Sequence, residues 1–71
     1  MNRIEIIARA TFKMVAEPVE YGIESYRCKG TPRYAIVYRS GNAPWKRSSS
    51  WDSRGAACDH LLTWVKGAER V

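Results

Sequence analysis

The sequence predicts a single small α+β domain: a three-stranded antiparallel sheet packed by a C-terminal helix, with an N-terminal helix or, alternatively, a fourth strand. Three observations predict it. The chain has 71 residues, which allows one domain with one modest core. Residues 21 to 50 hold runs of strand formers separated by two turn signals, Lys29-Gly30-Thr31-Pro32 and Ser40-Gly41-Asn42. Residues 53 to 66 instead carry apolar side chains at helical spacing.

Residues 3 to 15 fit two templates. On a helix, Ile4, Ile7, Ala8, Thr11, Phe12 and Val15 form one uncharged stripe. On a strand, Ile4, Ile6, Ala8, Ala10, Phe12 and Met14 alternate with mostly polar neighbours. The length of the segment and the i,i+4 spacing of Glu5 and Arg9 favour the helix. Pro18 then ends whatever precedes it.

Tyr21 to Cys28 reads as the next strand. Arg33 to Arg39 is the strongest one, β-branched and aromatic throughout. Its Tyr34, Ile36 and Tyr38 share one face and are expected to pack the core, while Ala35, Val37 and Arg39 share the other. Trp45 to Ser50 can return as a third antiparallel strand. In the helix, Ala57, Leu61, Trp64, Val65 and Ala68 form the core-facing stripe. Ser50 or Asp52 can cap its start and Gly67 its end.

Composition narrows the function classes. A hydrophobic content of 45% suits a packed core and argues against disorder. Cys28 and Cys58 are too few for a disulfide framework and read as small core residues. No apolar run approaches the roughly 20 residues that cross a bilayer, and Met-Asn-Arg-Ile-Glu lacks the layout of a signal peptide. The expectation is a cytoplasmic, reducing setting with no membrane partner. Catalytic machinery is not evident: His60 is the single histidine, and Cys58, Asp59 and His60 point in different directions on a helix. Neither a glycine-rich phosphate loop nor an acidic pair at catalytic spacing occurs. The chain is therefore expected to be no enzyme, with no metal and no cofactor.

The charge is unevenly placed. The net charge is +5, yet residues 1 to 24 sum to −1 and residues 55 to 71 to zero. Between them lie Arg27, Lys29, Arg33, Arg39, Lys46, Arg47 and Arg54 against Asp52 alone, with Tyr26, Tyr34, Tyr38, Trp45 and Trp51 interleaved. Arginine forks onto phosphate and stacks on rings. Interleaved arginines and aromatics suit nucleic acid, where phosphate neutralisation dominates affinity.

The order helix, three strands, helix resembles the double-stranded RNA-binding domain. Pro18-Val19-Glu20-Tyr21 is similar to that family's Pro-x-Tyr lead into its first strand, with one residue more. Lys29-Gly30-Thr31-Pro32-Arg33 stands where the family has a hairpin loop that enters an RNA minor groove. Ala57-Cys58-Asp59-His60-Leu61-Leu62 resembles its packing segment in the last helix. Where the family has a lysine run, this chain has Ser49-Ser50-Trp51-Asp52-Ser53-Arg54, with Lys46 and Arg47 just before it. Residues 21 to 67 alone also resemble the arm-binding and AP2-type DNA-binding domains, which lay a three-stranded sheet in the major groove. That resemblance implies a role for Arg27, Arg39, Trp45 and Arg47 on the exposed sheet face.

The expected function is non-catalytic binding of nucleic acid, double-stranded RNA or DNA, through the basic middle segment. Lys29 and Arg33 would meet phosphates from the first hairpin, and Lys46, Arg47 and Arg54 from the strand-to-helix region, with Trp45 stacking. The alternative is a phage-type small inhibitor or adaptor, anti-CRISPR-like, that binds an acidic or nucleic-acid-binding host protein. It would use Arg27, Arg33, Arg39, Trp45, Arg47 and Trp51, residue types that dominate interface energies.

Overall fold

The hairpin of β2 (Val19–Cys28) and β3 (Thr31–Ser40) is the centre of the architecture. In the computed structural model, which describes residues 3–11, 17–65 and 69–70, Lys29 and Gly30 form a two-residue loop with φ of 52° and 80°. Two consecutive positive φ values make a primed turn, whose twist matches that of the flanking strands. Cys28 is therefore opposite Thr31, and pairing continues unbroken to Val19 opposite Ser40. Thr31 and Pro32, expected in the turn, already belong to the strand.

β1 (Arg3–Ala10), β2 (Val19–Cys28), β3 (Thr31–Ser40) and β4 (Lys46–Trp51) form an antiparallel meander. α1 (Arg54–Trp64) follows, and the two-residue β5 (Glu69–Arg70) adds to the outer edge of β1. The sheet order is β4-β3-β2-β1-β5. The chain is thus α+β, with four main strands and one C-terminal helix.

The N-terminal helix expected over residues 3 to 15 is corrected by this arrangement. Arg3–Ala10 is a strand paired with β2, the fourth strand of the alternative; residues 12 to 15 of that expectation lie outside the described residues. A bulge explains why both templates fitted. Ile6 is opposite Gly22 but Ala8 is opposite Tyr21, leaving Ile7 as the extra residue. The apolar positions change face there, so Ile4, Ile7 and Ala8 mimic a helical stripe. Glu5 and Arg9 do not pair: they face opposite sides of the sheet, and each finds a partner elsewhere.

Facing residues in an antiparallel ladder share a side, so the register sorts every strand residue. One side carries Ala8, Tyr21, Ile23 and Ile36, which pack with Ala57 and Leu61 of α1 as the core. Tyr34, Tyr38, Trp51, Val19 and Val65 border it. The expected row of Tyr34, Ile36 and Tyr38 therefore packs toward the helix. Burial pushes the Tyr21 phenol up, and nearby Tyr38 adds to the shift.

Ser53, rather than Ser50 or Asp52, caps α1: it holds an extended backbone and its Oγ accepts from the Ala56 N–H at 3.1 Å. Ser50 is still in β4. Gly67, the expected stop, lies outside the described residues. The cysteines are also corrected. Cys28 is exposed at the hairpin end beyond the helix, and Cys58 is half-buried, one position off the Ala57–Leu61 stripe.

Two glycines give opposite expectations. A Cβ on Gly22 would lie 2.6 Å from the Glu5 carbonyl oxygen beside the bulge, whereas one on Gly55 would meet nothing within 4 Å. Gly22→Ala is expected to destabilise by about 1–3 kcal/mol through overpacking. Gly55→Ala, in the first turn of α1, is expected to stabilise by about 0.4–1 kcal/mol. Urea unfolding of the two variants against the parent measures both signs.

Candidate functional site

The side of the sheet opposite α1 is the candidate site. It carries Ile4, Ile6 and Arg9 of β1; Glu20, Gly22, Glu24 and Tyr26 of β2; Arg33, Ala35, Val37 and Arg39 of β3; and Arg47 and Ser50 of β4. Ala35 and Val37 are 0% and 2% exposed although no helix lies over them. Their cover comes from charged side chains.

Arg47 on β4 donates from Nε to Glu24 Oε1 on β2 at 3.0 Å, and from its Nη2 to the same oxygen. Since β3 lies between those strands, the pair spans β3 at the level of Ala35 and Val37. The Arg47 guanidinium also lies 4.3 Å from the centre of the Tyr26 ring. Long stems laid flat in this way shield apolar surface while their heads stay wet. A second ion-pair group crosses three strands. Arg39 Nε donates to Glu20 Oε1 at 2.9 Å, Arg9 Nε donates to Glu20 Oε2 at 3.3 Å, and the Arg39 guanidinium stacks 4.5 Å from the Trp45 ring centre. Arg33 donates from Nη2 to the hydroxyl and carbonyl oxygens of Ser50, at 3.0 and 3.3 Å.

The expected site residues are therefore divided. Arg33, Arg39, Trp45 and Arg47 come together on the open side. Arg27, by register, is on the helix side at the hairpin end, where it donates to the Gly30 carbonyl at 3.4 Å. Lys46 is on that same side, at the β4 edge. Trp51 packs against the core and meets the His60 ring at 4.8 Å between centroids. Arg54, at the start of α1, donates to Glu5 Oε1 on β1. Lys29 occupies the hairpin tip, and neither it nor Lys46 has an ion-pair partner among the described residues.

The residues that charge counting missed are Arg9, Glu5, Glu20 and Glu24. The positive segment meets its counter-charges from a part of the chain that reads as slightly negative. The signal was in the hairpin: counting outward from Lys29-Gly30 places Glu20 opposite Arg39 and Tyr26 opposite Arg33.

Among the described residues no three metal-ligating side chains gather, and no helix is long and apolar enough to cross a membrane. Comparison with protein-family models, curated proteins and solved structures finds no match to this chain. The class that fold and site define is a small sheet-and-helix module with one packed face and one arginine-rich face.

The Arg39 guanidinium holds the Glu20 carboxyl below the usual carboxylate range; partial burial opposes this and Arg9 adds to the lowering. A depressed folded-state value contributes stability that is present above the ordinary range and lost as pH falls through the lowered one. Urea midpoints should therefore decline as pH drops below about 4.3, the ordinary glutamate value. Glu20→Gln should show a shallower acid decline; an identical pH profile would remove Glu20 from the acid response.

Proposed function

We propose that this chain is a non-catalytic nucleic-acid-binding module that docks duplex DNA with the open face of its sheet. One observation carries the reading: the helix occupies one side of the sheet, and the other presents Arg9, Arg33, Arg39 and Arg47 with Tyr26 and Trp45. Four arginines stand over two glutamates, so the face keeps a positive excess. The groove of B-DNA is about 12 Å wide and admits a β-ribbon; strands are spaced about 4.8 Å apart, so two or three fit across it. Lys29 at the hairpin tip and Lys46 at the edge would meet phosphates at the margins.

This arrangement favours DNA over an RNA duplex. The double-stranded RNA-binding arrangement places a helix before the sheet, and Arg3–Ala10 is a strand here. The protein-partner alternative has one specific support, the Glu20 and Glu24 carboxylates within the face. Mixed charge suits an adaptor or inhibitor surface against a host protein of intracellular, reducing compartments.

Anisotropy titration of labelled duplex DNA, duplex RNA and single strands, at several salt concentrations, tests the reading. Duplex DNA is expected to bind with an affinity that falls linearly on a log–log salt plot, by about 0.9 per phosphate contacted. Arg39→Gln with Arg47→Gln should weaken DNA binding more than Lys29→Ala with Arg33→Ala, with folding of each variant checked by circular dichroism. The reverse order with a preference for duplex RNA would point to hairpin-loop binding. Absence of binding to every nucleic acid at low salt would overturn the proposal in favour of a protein partner.

A further inference from the structure

Four described arginines hold an acidic partner, but they do so differently. Arg47 and Arg54 each commit Nε and a terminal nitrogen to one carboxylate. Arg33 commits a terminal nitrogen to Ser50. Arg39 commits only Nε, to Glu20, and its guanidinium carbon lies over the Trp45 ring, 4.5 Å from its centre. Arg9 also uses Nε alone, but no described ring lies under it and its side chain is 54% exposed, against 30% for Arg39. Among the described residues, Arg39 is thus the arginine that combines a ring contact with an uncommitted terminal fork.

We infer that Arg39 is a specificity residue that reads guanine, its two terminal NH2 groups donating to the O6 and N7 of one base. The inference rests on the proposed duplex-DNA reading and deepens it. Two acceptors side by side are what a planar fork matches bidentately, and guanine presents that pair in the major groove. Phosphate is the competing acceptor, and local charge decides against it. Arg9 and Arg39 share Glu20, and the Glu17 carboxylate lies where a Cβ on Gly41 would, beside the same hollow of about 280 Å³ lined by Arg9, Glu20, Arg39, Gly41 and Asn42. Two guanidiniums against two carboxylates leave little net attraction for an anion. The hydrogen-bond donors remain, and a base edge is neutral. Glu20 and Trp45 are positioning residues: one holds Nε, the other lies under the guanidinium.

The test compares three duplexes of equal length: one with guanines, one of A·T pairs only, and one with 7-deazaguanine in place of guanine. The guanine duplex is expected to bind about tenfold or more tightly than the other two. Arg39→Lys keeps the charge but not the fork; it should bring the affinity for the guanine duplex down to that for the A·T duplex. Glu20→Gln should reduce the preference, since Arg39 Nε loses its charged acceptor. Binding of duplex DNA without a guanine preference, or a preference that survives Arg39→Lys, would overturn this inference and leave the DNA reading standing. Failure to bind any duplex would overturn both.

Discussion

A sheet has two faces, and the described residues supply one helix to cover them. α1 buries Ile23, Ile36 and Ala8 on its side, which leaves Ala35, Val37 and Gly22 on the other with no second layer. The solution is the Arg47–Glu24 pair drawn across β3. Magnitudes say which part of that pair matters. An exposed ion pair contributes about 0–1 kcal/mol, whereas full burial of a valine side chain contributes about 1.5–3 kcal/mol. The carboxylate fixes where the arginine lies; the apolar cover provided by its stem supplies more of the stabilisation. Arg47 is thus a structural residue first, even though it stands on the face proposed to bind.

The same arrangement constrains two arginines of this face. Arg39 and Arg47 each rest on a ring and each hold a glutamate from β2. An unsupported arginine carries about 2 kcal/mol of rotamer entropy, and part of that is lost when a ligand immobilises it. Here folding has already removed that freedom, so binding need not. Preorganisation of this kind lowers the cost of association rather than adding contacts.

Much of the fold was legible because β3 keeps its period throughout and α1 buries two positions one turn apart. Tyr34, Ile36 and Tyr38 alternate cleanly, and Ala57 and Leu61 recur at i,i+4. β1 was harder to read because its bulge at Ile7 changes the apolar face midway, and a strand that switches faces looks locally like a helix turn. The site was half legible. Arg33, Arg39, Trp45 and Arg47 stood out by type, but their partners did not, because Glu20 and Glu24 are distant in sequence and become neighbours only through the hairpin register. Trp51 was misplaced for a related reason. The bulge in β4, between the residues facing Ala35 and Val37, shifts the alternation so that Trp51 turns to the core while Arg47 remains outside.

Charge along the chain and charge on a surface are therefore different quantities in this protein. The basic middle segment predicts strong, salt-sensitive attraction to any polyanion, as long-range attraction scales with net charge. The folded face interposes Glu20 and Glu24, which cancel part of that attraction at the very arginines they orient. On the proposed duplex-DNA reading, attraction of phosphates would fall mainly to Lys29 and Lys46, at the margins, while the centre of the face would supply donors with directional demands. Such a division weakens non-specific affinity more than specific affinity, because a fixed fork loses little against the base it fits and gains little from a backbone it does not. For the proposed duplex partner, the glutamates are thus part of the recognition and not merely a deduction from the charge.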